Sequence, residues 1–84
     1  MAQATERIQR IHYARKRGGV TSEVICDVYA DGRETFAERE YGEIRWYDFL
    51  PSDTEVSAAR RLREQGLGLP GALVEIDLDD LPAA

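Results

Sequence analysis

Residues 52–67, SDTEVSAARRLREQGL, carry the clearest structural signals in the chain. Ser52 followed by Glu55 is a capping box, in which the serine oxygen accepts a backbone N–H of the first turn and the glutamate reaches back to Ser52. Gly66 stands where the left-handed residue of a Schellman ending belongs. The stretch therefore predicts an amphipathic helix of about three turns. Its apolar side would consist of Val56, Ala58, Ala59 and Leu62.

The length and composition predict one small domain. The chain has 84 residues, of which 43% are hydrophobic and 32% charged, so we expect a single domain over residues 1–84 with frayed ends at 1–5 and 80–84. No apolar run resembles a signal peptide or approaches the ~18 residues of a membrane span. A single cysteine, Cys26, cannot form an internal disulfide, which favours a cytoplasmic protein.

Residues 24–38 are predicted to form a β-hairpin. VICDVYA alternates in polarity, and Asp31–Gly32 is a dipeptide typical of a two-residue turn. A turn centred there would place Cys26 opposite Ala37, and Asp27 opposite Phe36. The inner face would then contain Val24, Cys26, Val28, Thr35 and Ala37, and Phe36 would point outward.

Residues 7–15 are compatible with either a helix or a strand. A second turn at Gly18–Gly19 favours the strand, because it pairs Ile11 with Cys26 and so extends the same inner face. It also pairs Ile8 with Tyr29 on the outer face. Together the two turns predict a three-stranded meander.

Two further strands complete the predicted fold. EIRWYDF, residues 43–49, is predicted to be a strand. Its aromatic residues Trp46, Tyr47 and Phe49, together with Tyr41, are expected to pack in the core, with Trp46 beneath or beside the helix. ALVEIDL, residues 72–78, alternates like a half-buried strand. The order is ββββαβ. We expect an α+β fold, a small mainly antiparallel sheet with one amphipathic helix on one face.

The motifs predict neither an enzyme nor a cofactor. Gly66, Gly68 and Gly71 match G-x-G-x-x-G but follow a helix, whereas a dinucleotide site precedes one. Cys26 and His12 are predicted on opposite sides of the sheet, and one cysteine with one histidine cannot supply the four ligands of zinc. The acidic residues near the C-terminus lack the spacing of a calcium loop.

The outer sheet face is the leading candidate for function. One helix can cover one face only, and an exposed apolar cluster with a charged rim is typical of a protein-binding surface. The predicted interface consists of Ile8, Arg10, Ile25, Asp27, Tyr29, Glu34, Phe36 and Glu38. We expect a small acidic protein-binding domain, analogous to regulators or inhibitors carried by phages and mobile elements, whose partner is another protein or a second copy of the chain.

Nucleic-acid binding is the alternative function. Residues 1–20 hold five basic residues and one acidic residue, a balance of +4, whereas the remainder holds six arginines against fifteen acids, a balance of −9. The acidic remainder disfavours general phosphate binding, but the basic end keeps a local site open. That site would use Arg7, Arg10, Arg15, Lys16 and Arg17.

Overall fold

The structure is a computed structural model that describes residues 6–68 and 74–79. Its elements are β1 (Arg7–Arg17), β2 (Val20–Tyr29), β3 (Glu34–Glu40), β4 (Tyr47–Phe49), α1 (Asp53–Glu64) and β5 (Val74–Asp77). They form a five-stranded sheet in the order β4-β3-β2-β1-β5, antiparallel except where β5 runs parallel to β1. The predicted α+β fold and the ββββαβ order are confirmed, and residues 7–15 are strand. The predicted frayed ends, 1–5 and 80–84, lie outside the described residues.

The helix ends are those that the sequence predicts, with one difference. The Ser52 hydroxyl accepts the backbone N–H of Glu55 at 3.2 Å. At the other end Gly66 has φ +71°, and the Leu67 N–H donates to the Leu62 carbonyl at 2.8 Å, as in a Schellman ending. The side chain of Glu55 does not return to Ser52, because it is fully buried and bonded to β1 instead.

The first hairpin has the predicted register over most of its length. Ile11 pairs with Cys26, and Arg10 with Asp27. The register shifts between Arg7 and Gln9, so that Arg7 and not Ile8 faces Tyr29. Since a bulge leaves its extra residue outside the ladder, Ile8 is 59% exposed.

The second hairpin is shifted by one residue from the prediction. Cys26 pairs with Phe36, because the turn contains three residues and not two. The Tyr29 N–H donates to the Arg33 carbonyl at 2.9 Å, the Asp31 carboxylate accepts the Arg33 N–H at 2.9 Å, and Gly32 has φ +89°. An aspartate that bonds the backbone two residues on, followed by a left-handed glycine, favours the longer turn.

This shift exchanges the two faces of β3, since neighbouring strand residues point to opposite sides. Phe36 packs in the core at 5% exposure, whereas Ala37 and Thr35 move to the outer face. The inner face and the helix share one core. Its buried members are Ile11, Tyr13, Val24, Cys26, Val28, Phe36, Ala59, Leu62 and Ile76.

The strand β5 closes the far side of the sheet. It pairs with β1 from Tyr13↔Val74 to Lys16↔Asp77. Just beyond it, the Asp79 carboxylate accepts the N–H groups of Gly18 (2.7 Å) and Gly19 (3.1 Å), which lowers the pKa of Asp79. The one described helix, α1, lacks the length and the apolar character needed to cross a membrane.

Candidate functional site

The predicted interface residues are divided between the two faces of the sheet. Arg10 and Asp27 lie on the outer face and form a bidentate ion pair, with N–O distances of 2.7 and 3.0 Å. Tyr29 lies beside them, and its ring is covered by the Arg33 guanidinium at 4.7 Å. Ile25 shares this face and is half-buried. This part of the outer face is therefore covered by paired charges more than by open apolar surface.

Glu34, Phe36 and Glu38 lie on the inner face, which corrects their predicted placement. The Phe36 ring packs against Phe49 with centroids 5.9 Å apart. Glu34 binds Arg60 at 2.8 Å and Arg63 at 3.0 Å. These arginines hold the pKa of Glu34 below its ordinary value, although burial opposes them. The physical reason for the correction is the one-residue shift of β3.

A buried polar network connects the sheet to the start of the helix. The Tyr13 hydroxyl donates to Glu55 at 2.7 Å, and Arg15 donates to Glu55 at 3.1 Å and to Glu38 at 2.6 Å. Glu55 has no exposed surface, and Arg15 has 3%. Burial, reinforced by the neighbouring Glu55 carboxylate, raises the pKa of Tyr13 far above its ordinary value. The network joins residues about forty positions apart and therefore holds the helix on the sheet.

The predicted nucleic-acid site loses its central member to this network. Arg15 is buried on the inner face, so it is unavailable to a phosphate. Arg10 is paired with Asp27, Arg7 lies 3.8 Å from the same carboxylate, and Lys16 lies 3.9 Å from Asp77. The predicted residues do not form one free basic surface.

Trp46 lies on the outer face, so its predicted place beneath or beside the helix is wrong. Its ring meets His12 edge-on, with centroids 6.0 Å apart, and the Arg39 guanidinium lies 4.4 Å above it. Glu23 joins His12 to Arg39, at 3.1 and 2.8 Å. Trp46 thus anchors the connection between β3 and β4 to the outer face.

The most exposed apolar side chains belong to residues 41–50, which we call the edge segment. It includes β4, the edge strand of the sheet. Ile44 is 90% exposed and Leu50 97%, and Tyr41 and Tyr47 are each more than half exposed. Sequence reasoning assigned the aromatic residues of this segment to the core. The four exposed residues are spaced three positions apart, at 41, 44, 47 and 50, which fits neither a helix nor an alternating strand. This spacing is the sequence signal that could have identified them as exposed.

A groove connects the edge segment with part of the predicted interface. It has a volume of about 710 Å³ and passes around the end of β3 where β4 stops. Leu50 and Phe49 line it on one side. Five of the predicted interface residues also line it, namely Ile25, Asp27, Tyr29, Glu34 and Phe36.

The described residues contain no cluster for a metal ion. Within residues 6–68 and 74–79, no three His, Cys, Asp or Glu side chains are grouped as such an ion would require. Cys26 is buried on the inner face, and His12 lies on the outer face, as predicted. Burial raises the pKa of the Cys26 thiol to about 12, which disfavours the reactive thiolate.

The fold and the edge segment define a small α+β domain with an exposed apolar edge. Comparisons with models of known protein families, with curated proteins and with solved structures find no match.

Proposed function

We propose that this domain is a non-enzymatic protein-binding module whose edge segment, residues 41–50, contacts the partner. The observation that carries the proposal is the exposure of Ile44 (90%) and Leu50 (97%) beside two exposed tyrosines. Burial of exposed apolar surface against a partner stabilises the complex by about 25 cal/mol per Å². Tyrosine is among the residues most enriched at the centres of protein interfaces.

The segment is held in place before binding, which supports the proposal. On the inner face Phe49 packs against Phe36, and β4 pairs with β3 over three residues. On the outer face Trp46 lies between His12 and Arg39. Because its backbone is anchored on both sides of the sheet, the segment pays less ordering entropy on binding than a free loop would.

The groove beside Leu50 extends the proposed surface onto the outer face. A partner side chain in this groove would contact Ile25 and Tyr29, which belong to the predicted interface, as well as Leu50. By occupying its partner's surface, the domain would act as a regulator or an inhibitor. We further propose an intracellular partner, because the only cysteine is unpaired and buried.

The charge around the edge segment favours a different protein over a second copy of this chain. Glu40, Glu43, Asp48 and Asp53 lie within or beside the segment, and Arg45 is its only basic residue. Among the described residues none of these acids forms an ion pair. Two such surfaces would repel each other, since like charges across an interface are unfavourable.

The test is affinity capture from the native cell with matched variants. We expect an Ile44→Ser/Leu50→Ser double variant to lose the captured protein while its thermal unfolding stays cooperative. Val20→Ser is the control, because Val20 is 54% exposed but lies at the start of β2, next to the turn between β1 and β2. Equal capture by the double variant and the wild type would refute the proposed surface.

Self-association and nucleic-acid binding are separated from this proposal by two simple measurements. Sedimentation equilibrium of the wild type is expected to give a monomer. If the wild type is instead a dimer and Ile44→Ser/Leu50→Ser is a monomer, the partner is a second copy of the chain. Retention on DNA or RNA that falls steeply with salt and is weakened by Arg17→Ala would favour the nucleic-acid alternative.

A further inference from the structure

The outer edge of β4 carries backbone groups that no described strand covers. β4 is the last strand on its side of the sheet and pairs with β3 alone. The Tyr29 N–H donates to the Arg33 carbonyl, so these two residues are a hydrogen-bonded pair of the second hairpin. Bonded and unbonded pairs alternate along an antiparallel ladder, so Phe36, three positions further on, directs its backbone groups toward β4, where it pairs with Phe49. Asp48, the neighbour of Phe49, therefore directs its N–H and its carbonyl to the free edge of the sheet.

The backbone on either side of Asp48 is open as well. Neither Trp46 nor Leu50 donates its N–H to another backbone group within residues 6–68 and 74–79. A row of unpaired N–H and carbonyl groups on an exposed sheet edge is a template on which another chain can pair. An extended segment of a partner can therefore add a further strand next to β4, as in other complexes that form by strand addition.

The two faces of β4 differ in chemistry, and this difference defines the strand that fits beside it. On the inner face the Tyr47 side chain is 55% exposed and Phe49 is half-buried. On the outer face Asp48 is exposed and forms no ion pair within the described part of the chain. Side chains that lie opposite each other in neighbouring strands share a face. An added strand therefore meets aromatic rings on one of its faces and a carboxylate on the other.

We propose that the protein partner adds to this edge an extended strand in which apolar and basic residues alternate. The inference rests on the proposed function, because β4 lies within the edge segment. The apolar side chains of the added strand pack on Tyr47 and Phe49, and its lysine or arginine side chains pair with Asp48. A second copy of β4 is disfavoured, because two such edges would bring their Asp48 carboxylates together.

The experiment uses the peptide acetyl-KVKVK-amide as the probe, because its alternation places valine on one face of a strand and lysine on the other. Backbone amides of the ¹⁵N-labelled full chain are followed by chemical shift and by exchange with solvent. We expect saturating shifts in the millimolar range, together with slower exchange of the Asp48 amide. The amides of Tyr47 and Phe49 already donate to β3 and should keep their exchange rates, which makes them the internal control.

Two control peptides separate backbone pairing from charge. The same peptide with every backbone nitrogen methylated keeps the side chains and their charge but loses the donors, and it should not bind. Acetyl-EVEVE-amide keeps the donors but reverses the charge, and it should bind more weakly than acetyl-KVKVK-amide.

Two variants at one position separate the same contributions in the protein. Asp48→Ala removes the charge and keeps the N–H, whereas Asp48→Pro removes both. Because this N–H points away from β3, proline costs β4 no bond of its ladder. We expect Asp48→Pro to bind acetyl-KVKVK-amide about fivefold more weakly than Asp48→Ala does, as expected for one lost backbone hydrogen bond. If Asp48→Pro does not fold, the methylated peptide still tests pairing on the wild type.

Four results would each overturn the inference, namely absent shifts, unchanged exchange of the Asp48 amide, equal binding of the methylated peptide, and equal binding of the lysine and glutamate peptides. Ile44→Ser/Leu50→Ser leaves the backbone of β4 intact and should still bind the probe. If that variant retains partner capture, the proposed function fails while the strand pairing stands. If capture depends on Ile44 and Leu50 but the probe does not bind, only the strand inference fails.

Discussion

The two faces of the sheet use the same pairs of charged groups in different surroundings. On the outer face Arg10 binds Asp27 with 46% of the arginine side chain exposed. On the inner face Arg15 binds Glu55 with 4% and 0% of the side chains exposed. Water screens the outer pair, so it contributes little to stability. The inner pair has lost its hydration, so removing either partner leaves a buried charge uncompensated. Burial, and not the identity of the pair, therefore decides which ionic contacts matter for folding.

The largest expected effect comes from breaking the inner pair. Glu55→Ala leaves Arg15 with Glu38 alone and leaves the Tyr13 hydroxyl without its acceptor. We expect the free energy of unfolding, measured by urea denaturation, to fall by about 3–5 kcal/mol. Glu64→Ala, at an exposed position of the same helix, should change it by less than about 0.5 kcal/mol.

If Glu55→Ala does not fold, Glu55→Gln gives the same information. The amide keeps the shape and an oxygen for Tyr13 but loses the charge, so we expect a smaller loss of about 1–3 kcal/mol. Equal stability of Glu55→Gln, Glu64→Ala and the wild type would contradict the importance of the inner pair.

Removing the hydroxyl of Tyr13, the uncharged member of the buried network, should have the next largest effect on stability. Tyr13→Phe removes a hydroxyl that donates to a buried carboxylate at 2.7 Å, without changing the packing of the ring. A hydrogen bond to a charged group contributes about 1.5–3 kcal/mol, and we expect a destabilisation in that range. Tyr41→Phe, at a position more than half exposed, is the matched control and should be neutral. Equal denaturation midpoints for the two variants would show that the network does not depend on this hydroxyl.

Alkaline pH should destabilise the protein through Cys26 on the inner face. Burial raises the pKa of its thiol to about 12, whereas an unfolded thiol titrates near 8.5. The unfolded state therefore loses a proton that the folded state keeps. The stabilisation is complete below about pH 8.5 and is lost toward pH 12, at up to about 1.4 kcal/mol per pH unit.

Cys26→Ala isolates this contribution. Between pH 8.5 and 10 the variant should lose less stability per pH unit than the wild type, even though it is less stable at pH 7. Tyr13, whose pKa is also raised, adds its own loss only above about pH 10. Parallel pH profiles of the two proteins would contradict a buried, protonated thiol.

Breaking the Arg10–Asp27 ion pair on the outer face should have the smallest effect on stability. A double-mutant cycle with Arg10→Ala and Asp27→Ala should give a coupling of about 0–1 kcal/mol, which falls further in high salt. The same cycle at Arg15 and Glu55 should give a larger coupling with little salt dependence. Equal couplings at the two sites would remove the contrast between the faces.

The parts of the fold that depend on neighbouring residues were predicted from the sequence. The helix from Asp53 to Glu64 has its serine cap and its glycine ending because both signals act within one turn of the chain. The register of the first hairpin follows from the turn at Gly18–Gly19 and from the alternation of the strands on either side. The second register is wrong by one residue because Asp31 and Gly32 fit both a two-residue and a three-residue turn.

The candidate site was predicted only in part. Ile25, Asp27 and Tyr29 line the groove next to Leu50, although Phe36 and two glutamates of the predicted interface point to the inner face. The aromatic residues of the edge segment were predicted to pack in the core, which is correct for Phe49 but wrong for Tyr41 and Tyr47. Its exposure follows from the shortness of β4, which pairs over three residues only and leaves Ile44 and Leu50 without a strand to pack on.

By itself the sequence determined the helix with its two ends and the opposite placement of Cys26 and His12, and it favoured a strand for residues 7–15 and most of the register of the first hairpin. These depend on capping, turn geometry and side-chain alternation, all of which act over a few residues. Tertiary structure decided the parallel pairing of β5 with β1, the burial of Glu55 with Arg15, and the exposure of the edge segment. The buried network joins residues about forty positions apart, and the pairing of β5 with β1 joins residues about sixty positions apart. The packing of the whole domain, and not local preference, therefore decides all three.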